Sequence, residues 1–285
     1  MAGPARPVVW VDLTREDDAP EGAVHLHGRG ISGLTWAIRH AVHRAERPCR
    51  RIPYGPHRDQ WAELHLPDEA KGLLPVVALI HGGYWRSIWG ADLMDALCAD
   101  LAARGFAVWN LEYRRPDLHG WPATTADVAA GLDALSTVDA PLNLDKVAVV
   151  GHSAGGQLAL RAAADGSRVA LAVSLAGVLD LVEGERRWLS SGAVAAALGH
   201  ATTPHEVHAG ASPLLRLPMK VPQLIVQGSS DDLDLVDFGR RYARAAKEGG
   251  DTITYLEMSG DHFAVIDPRT PIWRTTALAI ADALR

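Results

Sequence analysis

Ser153 lies in a sequence that suits a reactive hydroxyl. It is the centre of Gly151-His152-Ser153-Ala154-Gly155, a G-x-S-x-G pattern between the apolar run VAVV and an alanine-rich segment with helical character. A serine at a sharp strand-to-helix turn needs small neighbours, because a side chain at 151 or 155 would collide with the backbone. The turn lifts the hydroxyl off the sheet, and the start of a helix favours negative charge. The pattern therefore predicts Ser153 as the nucleophile of an acyl-transfer reaction.

Such a serine needs a base, because its hydroxyl is a weak nucleophile until its proton is removed. The chain has 13 histidines, and His262 stands apart because it follows the last apolar run, in Ser-Gly-Asp-His-Phe. In enzymes whose nucleophilic serine lies in a G-x-S-x-G turn between a strand and a helix, the acid follows the serine along the chain and the histidine comes last. We therefore predict His262 as the base. His200, His205 and His208 lie elsewhere, and the pair at 205 and 208 lacks the third ligand that a metal site needs.

The third partner is a carboxylate that holds the imidazole in one tautomer and stabilises its charged form. The apolar run QLIVQ is followed by Gly228-Ser229-Ser230-Asp231-Asp232, so acidic side chains come at a strand end. We predict Asp231 as the acid, because a G-x-x-D turn directs its side chain toward the loop of His262. Asp232 and Asp234 are the alternatives.

A glycine pair after the run VVALI could hold the negative charge that acyl transfer places on a carbonyl oxygen. The sequence there is His81-Gly82-Gly83-Tyr84-Trp85. Backbone N–H groups can stabilise such an oxyanion, and glycines let the chain come close to it. We predict an oxyanion hole from the residues Gly82, Gly83, Tyr84 and Ala154, with His81 bracing the loop.

Aromatic side chains near these motifs are candidates for the walls of a substrate pocket. We predict that Trp85, His152 and Trp188 line this pocket, together with Tyr84, although aromatic residues in such places are more often simply packed in the core. The chemistry needs no metal and no organic cofactor. The expected partner is a small-molecule acyl substrate.

The elements that must position these residues alternate between short apolar runs and alanine-rich amphipathic segments from about Leu73 onward. This alternation is typical of parallel strands joined by crossover helices, with ligands bound at the carboxyl ends of the strands. The sequence thus predicts an α/β fold with a mostly parallel, doubly wound sheet flanked by helices. The predicted strands are Val76–Ile80, Ala107–Leu111, Val147–Val150, Val169–Leu175, Gln223–Val226 and Thr252–Leu256, and the predicted helices are Ala91–Ala103, Asp127–Leu135, Ala154–Ala164 and Thr275–Leu284.

Two stretches depart from this rhythm. Residues from about 179 to 221 hold a small-residue run and three prolines, and we predict a small helical cap there, with an extended surface connection as the alternative. Residues 1–50 form an N-terminal extension in which Trp36–Ala45 could be an amphipathic helix. This extension could pack on the main domain of 51–285, line the pocket, or join subunits in a homodimer. Trp61–Leu66 alternates apolar and polar residues like an antiparallel edge strand.

The overall composition is ordinary for a soluble globular protein of 285 residues, with 48% hydrophobic and 22% charged residues. A formal net charge of −6 and the absence of a basic stripe make nucleic acid a poor candidate for a partner. No run approaches the ~20 apolar residues of a membrane span, and the N-terminus does not suit a signal peptide. Cys49 and Cys98 fit neither a disulfide framework nor a metal cluster. We therefore expect a cytoplasmic protein.

These motifs together resemble the kynurenine formamidase (arylformamidase) branch of the α/β-hydrolase fold, near the hormone-sensitive-lipase-like esterases. The resemblance covers about residues 50–285 and rests on HGGYW at 81–85, GHSAGG at 151–156, GSSDD at 228–232 and GDHFAVIDP at 260–268. HGGYW indicates the formamidase-like branch more than a lipase, whose loop is usually HGGG. The resemblance implies hydrolysis of an N-formyl amide or a small ester through an acyl-enzyme.

Other functions also fit these residues. The first is a generic short-chain carboxylesterase with the same catalytic residues. The second is a catalytically silent binding or scaffold protein on this fold, against which the intact serine, histidine and aspartate argue. The third is a non-hydrolytic reaction, such as epimerisation or acyl transfer, in small-molecule biosynthesis.

Overall fold

The computed structural model of the protein describes residues 8–9, 24–25, 49–69, 72–199 and 204–285, with the backbone alone described at 8–9, 24–25 and 204–207. The predicted helix at Trp36–Ala45 lies outside these residues. Val8–Val9 and Val24–His25 form a short parallel pair. The rest of the described chain is organised around an eight-stranded sheet.

The sheet is mostly parallel. From one edge to the other its order is β1-β2-β4-β3-β5-β6-β7-β8, where only the β1–β2 and β2–β4 pairings are antiparallel. This arrangement confirms the predicted α/β class with a doubly wound sheet. The strands are β1 Arg50–Pro53, β2 Trp61–His65, β3 Leu74–Ile80, β4 Ala107–Leu111, β5 Leu142–His152, β6 Leu171–Leu175, β7 Gln223–Gly228 and β8 Ile253–Met258.

Helices connect the parallel strands. The α-helices of the described residues are α1 Asp95–Ala103, α2 Pro116–His119, α3 Trp121–Asp133, α4 Ala154–Ala164, α5 Leu181–Arg186, α6 Ala193–Leu198, α7 Pro204–Ala211, α8 Leu233–Glu248 and α9 Pro271–Ala283. Single turns of 3₁₀ helix cover Ala91–Met94, Ala134–Thr137, Pro213–Arg216 and Ala264–Ile266. No helix in the described ranges combines the length and the apolar composition that crossing a membrane requires.

The core has two layers because successive side chains of a strand point to opposite faces of the sheet. In β3, Val76, Ala78 and Ile80 pack into one layer, while Val77 and Leu79 pack into the other. Helices α3, α4 and α8 contribute to the first layer, and α1 and α9 contribute to the second. Strands that are buried on both faces read as continuous apolar runs, which is why the sequence located them.

Several elements differ from their predicted bounds or pairing. β5 begins at Leu142 and α9 at Pro271, before the predicted starts at Val147 and Thr275, and Ala91–Met94 of the predicted helix Ala91–Ala103 form a 3₁₀ turn ahead of α1. β2 is antiparallel as predicted, but it is not the edge strand, because Arg50–Pro53 pairs with its outer side. Helix α3 begins at Trp121, six residues before the predicted start. Pro122 is accommodated in its first turn, where no N–H is needed. Thr124 does not cap this helix, since its hydroxyl donates to the Arg114 carbonyl instead.

The described residues between β6 and β7 form the short helices α5, α6 and α7. They lie within the stretch predicted as a cap. The boundaries of that cap at about 179–221, and of an N-terminal extension at 1–50, stay predictions.

Candidate active site

Ser153 occupies a strained turn between β5 and α4. Its backbone angles are φ 55° and ψ −119°, a region that costs a non-glycine residue roughly 1–3 kcal/mol. The turn is held by the Ser153 amide, which donates to the Leu175 carbonyl at 2.8 Å, and by the Gly156 amide, which donates to the Ser153 carbonyl at 2.9 Å. The Ser153 hydroxyl makes no capping bond to α4. The turn therefore leaves this hydroxyl at the start of a helix without using it as a cap.

Close packing around this turn explains the glycines of the motif. A Cβ atom on Gly151 would overlap the Gly155 carbonyl, and one on Gly155 would overlap the carbonyl oxygens of Ile80 and His81. The end of β3, the turn and the first turn of α4 are thus in backbone contact. Only glycine fits at either position, as the sequence reasoning anticipated.

His262 and Asp231 contact each other at the carboxyl edge of the sheet. His262 Nδ1 lies 2.9 Å from Asp231 Oδ2, and the side chains are 20% and 3% exposed. The Gln227 side-chain amide also donates to Oδ2 at 2.9 Å, and the Asp232 amide donates to Oδ1 at 2.7 Å. Burial works to raise the pKa of Asp231, but the hydrogen bond and charge of His262, followed by these amide bonds, bring the pKa below its ordinary value. The carboxylate is therefore fixed and ionised.

The alternative acids have other partners. Asp232 is the N-cap of α8, and its side chain accepts the Asp234 amide at 2.8 Å. Asp234 pairs with Arg187 at 2.8 Å. Of the three aspartates that the sequence left open, Asp231 is the one that the structure brings to His262.

His152 links the serine turn to the loop of His262. The residue is 1% exposed, its Nε2 lies 2.9 Å from the His262 carbonyl oxygen, and the centroids of the two rings are 4.7 Å apart. Because Ser153 is the next residue in the chain, this contact brings His262 beside the serine turn. Burial, with a smaller contribution from the charge of His262, lowers the pKa of His152 to about 3.

The glycine loop after β3 lies directly against the serine. A Cβ on Gly82 would stand 2.8 Å from the Ser153 Cβ and 2.6 Å from the His152 carbonyl oxygen. Gly83 has φ 112°, and a Cβ there would overlap the side chain of Trp89. Tyr84 follows with φ 51°. The structure thus places Gly82 against Ser153. The role of the Gly82, Gly83, Tyr84 and Ala154 amides in an oxyanion hole stays a prediction.

A buried group of ionisable residues supports the loop after β3. Its central residue, Glu112, was not predicted from the sequence. The Glu112 carboxylate accepts the Ala91 amide at 2.9 Å, lies 3.1 Å from His81 Nε2, and pairs with Arg115. Burial by itself raises the pKa of Glu112, but Arg115 and then His81 outweigh it and bring the pKa to about 2. An acidic residue directly after the apolar run AVWNL was the available signal, the same signal that located Asp231.

His81 completes the brace. Its Nδ1 lies 2.8 Å from the Gly82 carbonyl oxygen, its ring stacks on Tyr113 with 4.4 Å between centroids, and the Tyr113 hydroxyl donates to the His81 carbonyl at 2.9 Å. The predicted bracing role of His81 agrees with these contacts.

The structure places the three predicted pocket residues in different environments. Trp85 is 2% exposed, and its Nε1 donates to Gln157 Oε1 at 3.0 Å, so it is packed in the core. His152 is also buried. Trp188 is 67% exposed just after α5, where its ring packs near Gly192. A pocket role for these residues stays a prediction.

Two groups of side chains among the described residues bring potential metal ligands within 4.8 Å of one another. They are Cys49, Glu63 and His65, and His57, Asp59 and His119. Three of these side chains have other polar contacts: Arg51 donates to Glu63 at 2.9 Å, Arg58 and Arg115 each lie 3.8 Å from Asp59, and the Asp59 amide donates to His57 Nδ1 at 3.2 Å. His208 lies 2.6 Å from Glu185. The side chain of His205 and the whole of His200 lie outside the described residues.

Among solved structures, esterase B from Lactobacillus rhamnosis HN001 superposes with a TM-score of 0.74 at 19% identity, over 89% of this chain and 91% of that one. A bacterial heroin esterase gives a TM-score of 0.70 at 23% identity, over 88% and 90% of the two chains. These likenesses confirm the predicted α/β-hydrolase fold.

By sequence, the chain is similar to one curated protein over a short segment, and it matches a family model over a longer one. A probable isoprenylcysteine alpha-carbonyl methylesterase from Oryza sativa subsp. japonica is 31% identical over 116 residues, which are 39% of this chain. The match spans only 26% of that protein's length. A family model described as BD-FAE matches residues 62–238, which include the serine turn and Asp231. The chain therefore belongs to the BD-FAE family, and its fold is that of the α/β hydrolases.

Proposed function

We propose that the protein hydrolyses a small carboxylic ester or an N-formyl or aryl amide through an acyl-enzyme on Ser153. The observation that carries this proposal is the bond between His262 Nδ1 and Asp231 Oδ2 at 2.9 Å, in a loop that is tied to the residue before Ser153. That bond leaves His262 Nε2 as the nitrogen that can take a proton, because Nδ1 is occupied by the acid.

The reaction proceeds in two halves. Ser153 attacks the carbonyl carbon while His262 takes the hydroxyl proton, and Asp231 stabilises the imidazolium. The negative charge on the carbonyl oxygen is stabilised by the amides of Gly83 or Tyr84 and of Ala154. His262 then returns the proton to the leaving alcohol or amine. Water, activated by the same histidine, cleaves the acyl-enzyme and releases the acid.

The substrate class has two candidates. A carboxylic ester is favoured because the matched relatives are named as esterases. An N-formyl amide is favoured by the HGGYW loop at 81–85, which resembles that of kynurenine formamidases. The ratio of kcat/KM for N-formylkynurenine to that for p-nitrophenyl acetate and butyrate separates the two. A ratio well above one selects the formamidase, and a ratio well below one selects the short-chain carboxylesterase.

The nucleophile is tested with Ser153→Ala and with Ser190→Ala as a control on a surface segment. Loss of the triad serine lowers kcat by about 10³-fold or more. We expect a fluorophosphonate probe to label the parent and Ser190→Ala, and not Ser153→Ala. Activity of Ser153→Ala within a few-fold of the parent rejects the assignment. Products formed in ¹⁸O-labelled water must carry the label in the acid, and an unlabelled product would select a non-hydrolytic reaction.

A further inference from the structure

His152 lies between the loop after β3 and the loop of His262, and the proposed reaction depends on the position of these two loops relative to each other. On one side, its Nδ1 would be 3.1 Å from a Cβ on Gly82, the first glycine of the loop after β3. On the other side, its Nε2 lies 2.9 Å from the His262 carbonyl oxygen. Its ring also lies 5.9 Å from that of Phe263, centroid to centroid. The ring therefore fills the space between the oxyanion loop and the loop of the base.

The direction of the hydrogen bond follows from its acceptor. A backbone carbonyl oxygen only accepts, so Nε2 of His152 must carry the proton and donate. In a neutral ring Nδ1 is then an acceptor, and it has no hydrogen-bond partner among the described residues. A buried acceptor without a partner lowers stability. An apolar side chain would avoid this cost, so the bond from Nε2 is the feature of this imidazole that an apolar residue cannot supply.

The His262 loop is held on both sides of the histidine by other hydrogen bonds: the Ser230 amide donates to the Gly260 carbonyl at 2.9 Å, and the Phe263 amide donates to the Asp261 carboxylate at 3.0 Å. It follows β8 through Gly260, whose φ is 155°, and Gly260 and Asp261 pack their carbonyl groups against Gly228. Asp231 fixes the side chain of His262, but a side-chain contact alone allows the backbone to shift with the ring. A second bond at the His262 carbonyl fixes the backbone as well, so the two bonds together set where the imidazole stands.

We propose that His152 is a positioning residue, which holds the backbone of His262 at a fixed distance from Ser153 through the bond from its Nε2 to the His262 carbonyl. This inference rests on the proposed function of Ser153 and His262. Proton transfer depends on a separation set to within a fraction of an ångström, and a displacement of about 1 Å can reduce a rate about 10²-fold. A residue of the serine motif, His152, thus helps to position the base, His262.

The charge state of His152 suits this role. Burial, followed by the charge of His262, lowers the pKa of His152 to about 3, against the opposing effects of the His262 carbonyl and Asp231; His81 also faces the ring and lowers the pKa further. The ring is therefore neutral when His262 takes up a proton 4.7 Å away. A neutral neighbour does not repel the imidazolium, and it does not compete as a second base.

The test compares His152→Gln with His152→Asn. The glutamine amide nitrogen reaches about as far as Nε2 of histidine, whereas the shorter asparagine does not. We expect His152→Asn to lower kcat about 10- to 100-fold with KM within about twofold, and His152→Gln to keep kcat within about threefold of the parent. Tyr242→Phe is the matched control, since it removes another buried hydrogen bond, to Gln223, and should lower the melting temperature while leaving kcat unchanged.

Equal losses of kcat in the Gln and Asn variants, or full activity of His152→Asn, overturn the positioning role. A parent enzyme that fails to react with a fluorophosphonate at Ser153 contradicts the proposed function instead. In that case, hydrogen–deuterium exchange of the amides of residues 259–263 still tests the bond itself. Faster exchange in His152→Asn than in His152→Gln supports it, and equal exchange in the two variants overturns it.

Discussion

At the scale of single residues, Asp231 and Asp232 show how neighbours with the same side chain acquire different roles. Asp231 is nearly buried and contacts His262, whereas Asp232 is exposed and caps α8. The first position requires a charge, because it must stabilise an imidazolium. The second requires only a hydrogen-bond acceptor, which asparagine supplies as well as aspartate does.

Asp231→Asn should therefore lower kcat about 10³- to 10⁴-fold, because an amide in place of the carboxylate favours the wrong tautomer of His262. KM should stay near that of the parent, since Asp231 does not contact the substrate in the proposed reaction. Steady-state kinetics of Asp231→Asn and Asp232→Asn measure the contrast, with the second variant expected to match the parent. The reverse result would assign the acid to Asp232.

At the scale of elements, Glu112 joins the end of β4 to the loop after β3. Glu112→Gln removes the negative charge closest to the buried Arg115 guanidinium, which keeps its bond to the Tyr113 carbonyl and its contact with Asp59, and it should lower the free energy of unfolding at pH 7 by roughly 3 kcal/mol. Urea unfolding measures this loss. Glu257→Gln is the control, because Glu257 forms an ion pair with Arg240 that is largely open to solvent, and such pairs contribute little.

The parent and Glu112→Gln should also differ in how their free energy of unfolding depends on pH. The pKa of Glu112 in the folded protein is about 2, below the ordinary value of 4.5. A lowered pKa means that the folded state holds the charged form more strongly, so its stabilisation is present above pH 4.5 and is lost as the pH falls toward 2. The parent should lose stability more steeply than Glu112→Gln between these values. Parallel curves for the two proteins would contradict a charged Glu112.

Sequence alone located most of the elements and the chemistry, and the misses have physical causes. The predicted helix Ala154–Ala164 matches α4, because small residues and an apolar stripe follow a strand end. Arg50–Pro53 was missed, because an edge strand with exposed side chains lacks an apolar pattern. The sequence does not show that His152 is buried, because the direction of a side chain at a sharp turn depends on loops distant in the chain. Its predicted pocket role stays a prediction.

Glu112 and Gln227 were missed for a related reason. Glu112 accepts the Ala91 amide, a contact that exists only after β4 is placed beside β3. Gln227 donates to Asp231 four residues further along the chain, and the sequence does not show that the turn after β7 brings the two side chains together. A motif shows which residues can react, whereas their supports are set by the register of the sheet. Supporting residues could have been sought among the few polar residues that lie at the carboxyl ends of the predicted parallel strands.

At the scale of the whole molecule, Arg187 links the helices between β6 and β7 to helix α8 of the main domain. This residue follows α5, and its guanidinium bonds to Asp234 at 2.8 Å and to Asp237 at 2.7 Å, both on α8. It also contacts Glu183 within α5 at 3.0 Å and lies over the ring of Phe238. Helix α8 begins directly after Asp231 and Asp232, so the fastening point is next to the loop that carries the acid.

Arg187→Met keeps most of the apolar contact with Phe238 and removes the charge. Because the arginine bridges two helices in a network and is 25% exposed, we expect a loss of about 1–2 kcal/mol in unfolding free energy, which for a chain of this size lowers Tm by a few degrees. Added salt should destabilise the parent and have less effect on the variant, since screening weakens the same bonds.

Arg240→Met is the matched control, because Arg240 lies on α8, the helix that Arg187 contacts, but pairs with Glu257 of β8 instead of with α5. Limited proteolysis distinguishes a loosened attachment from general destabilisation. Cleavage between residues 181 and 211 should become faster in Arg187→Met while the parent and Arg240→Met are cut alike. If both variants are cut at the same rate, Arg187 does not contribute to the docking of the helices between β6 and β7. Their attachment would then depend on their apolar contacts and on the ion pair between Arg241 of α8 and Asp180 at 3.1 Å.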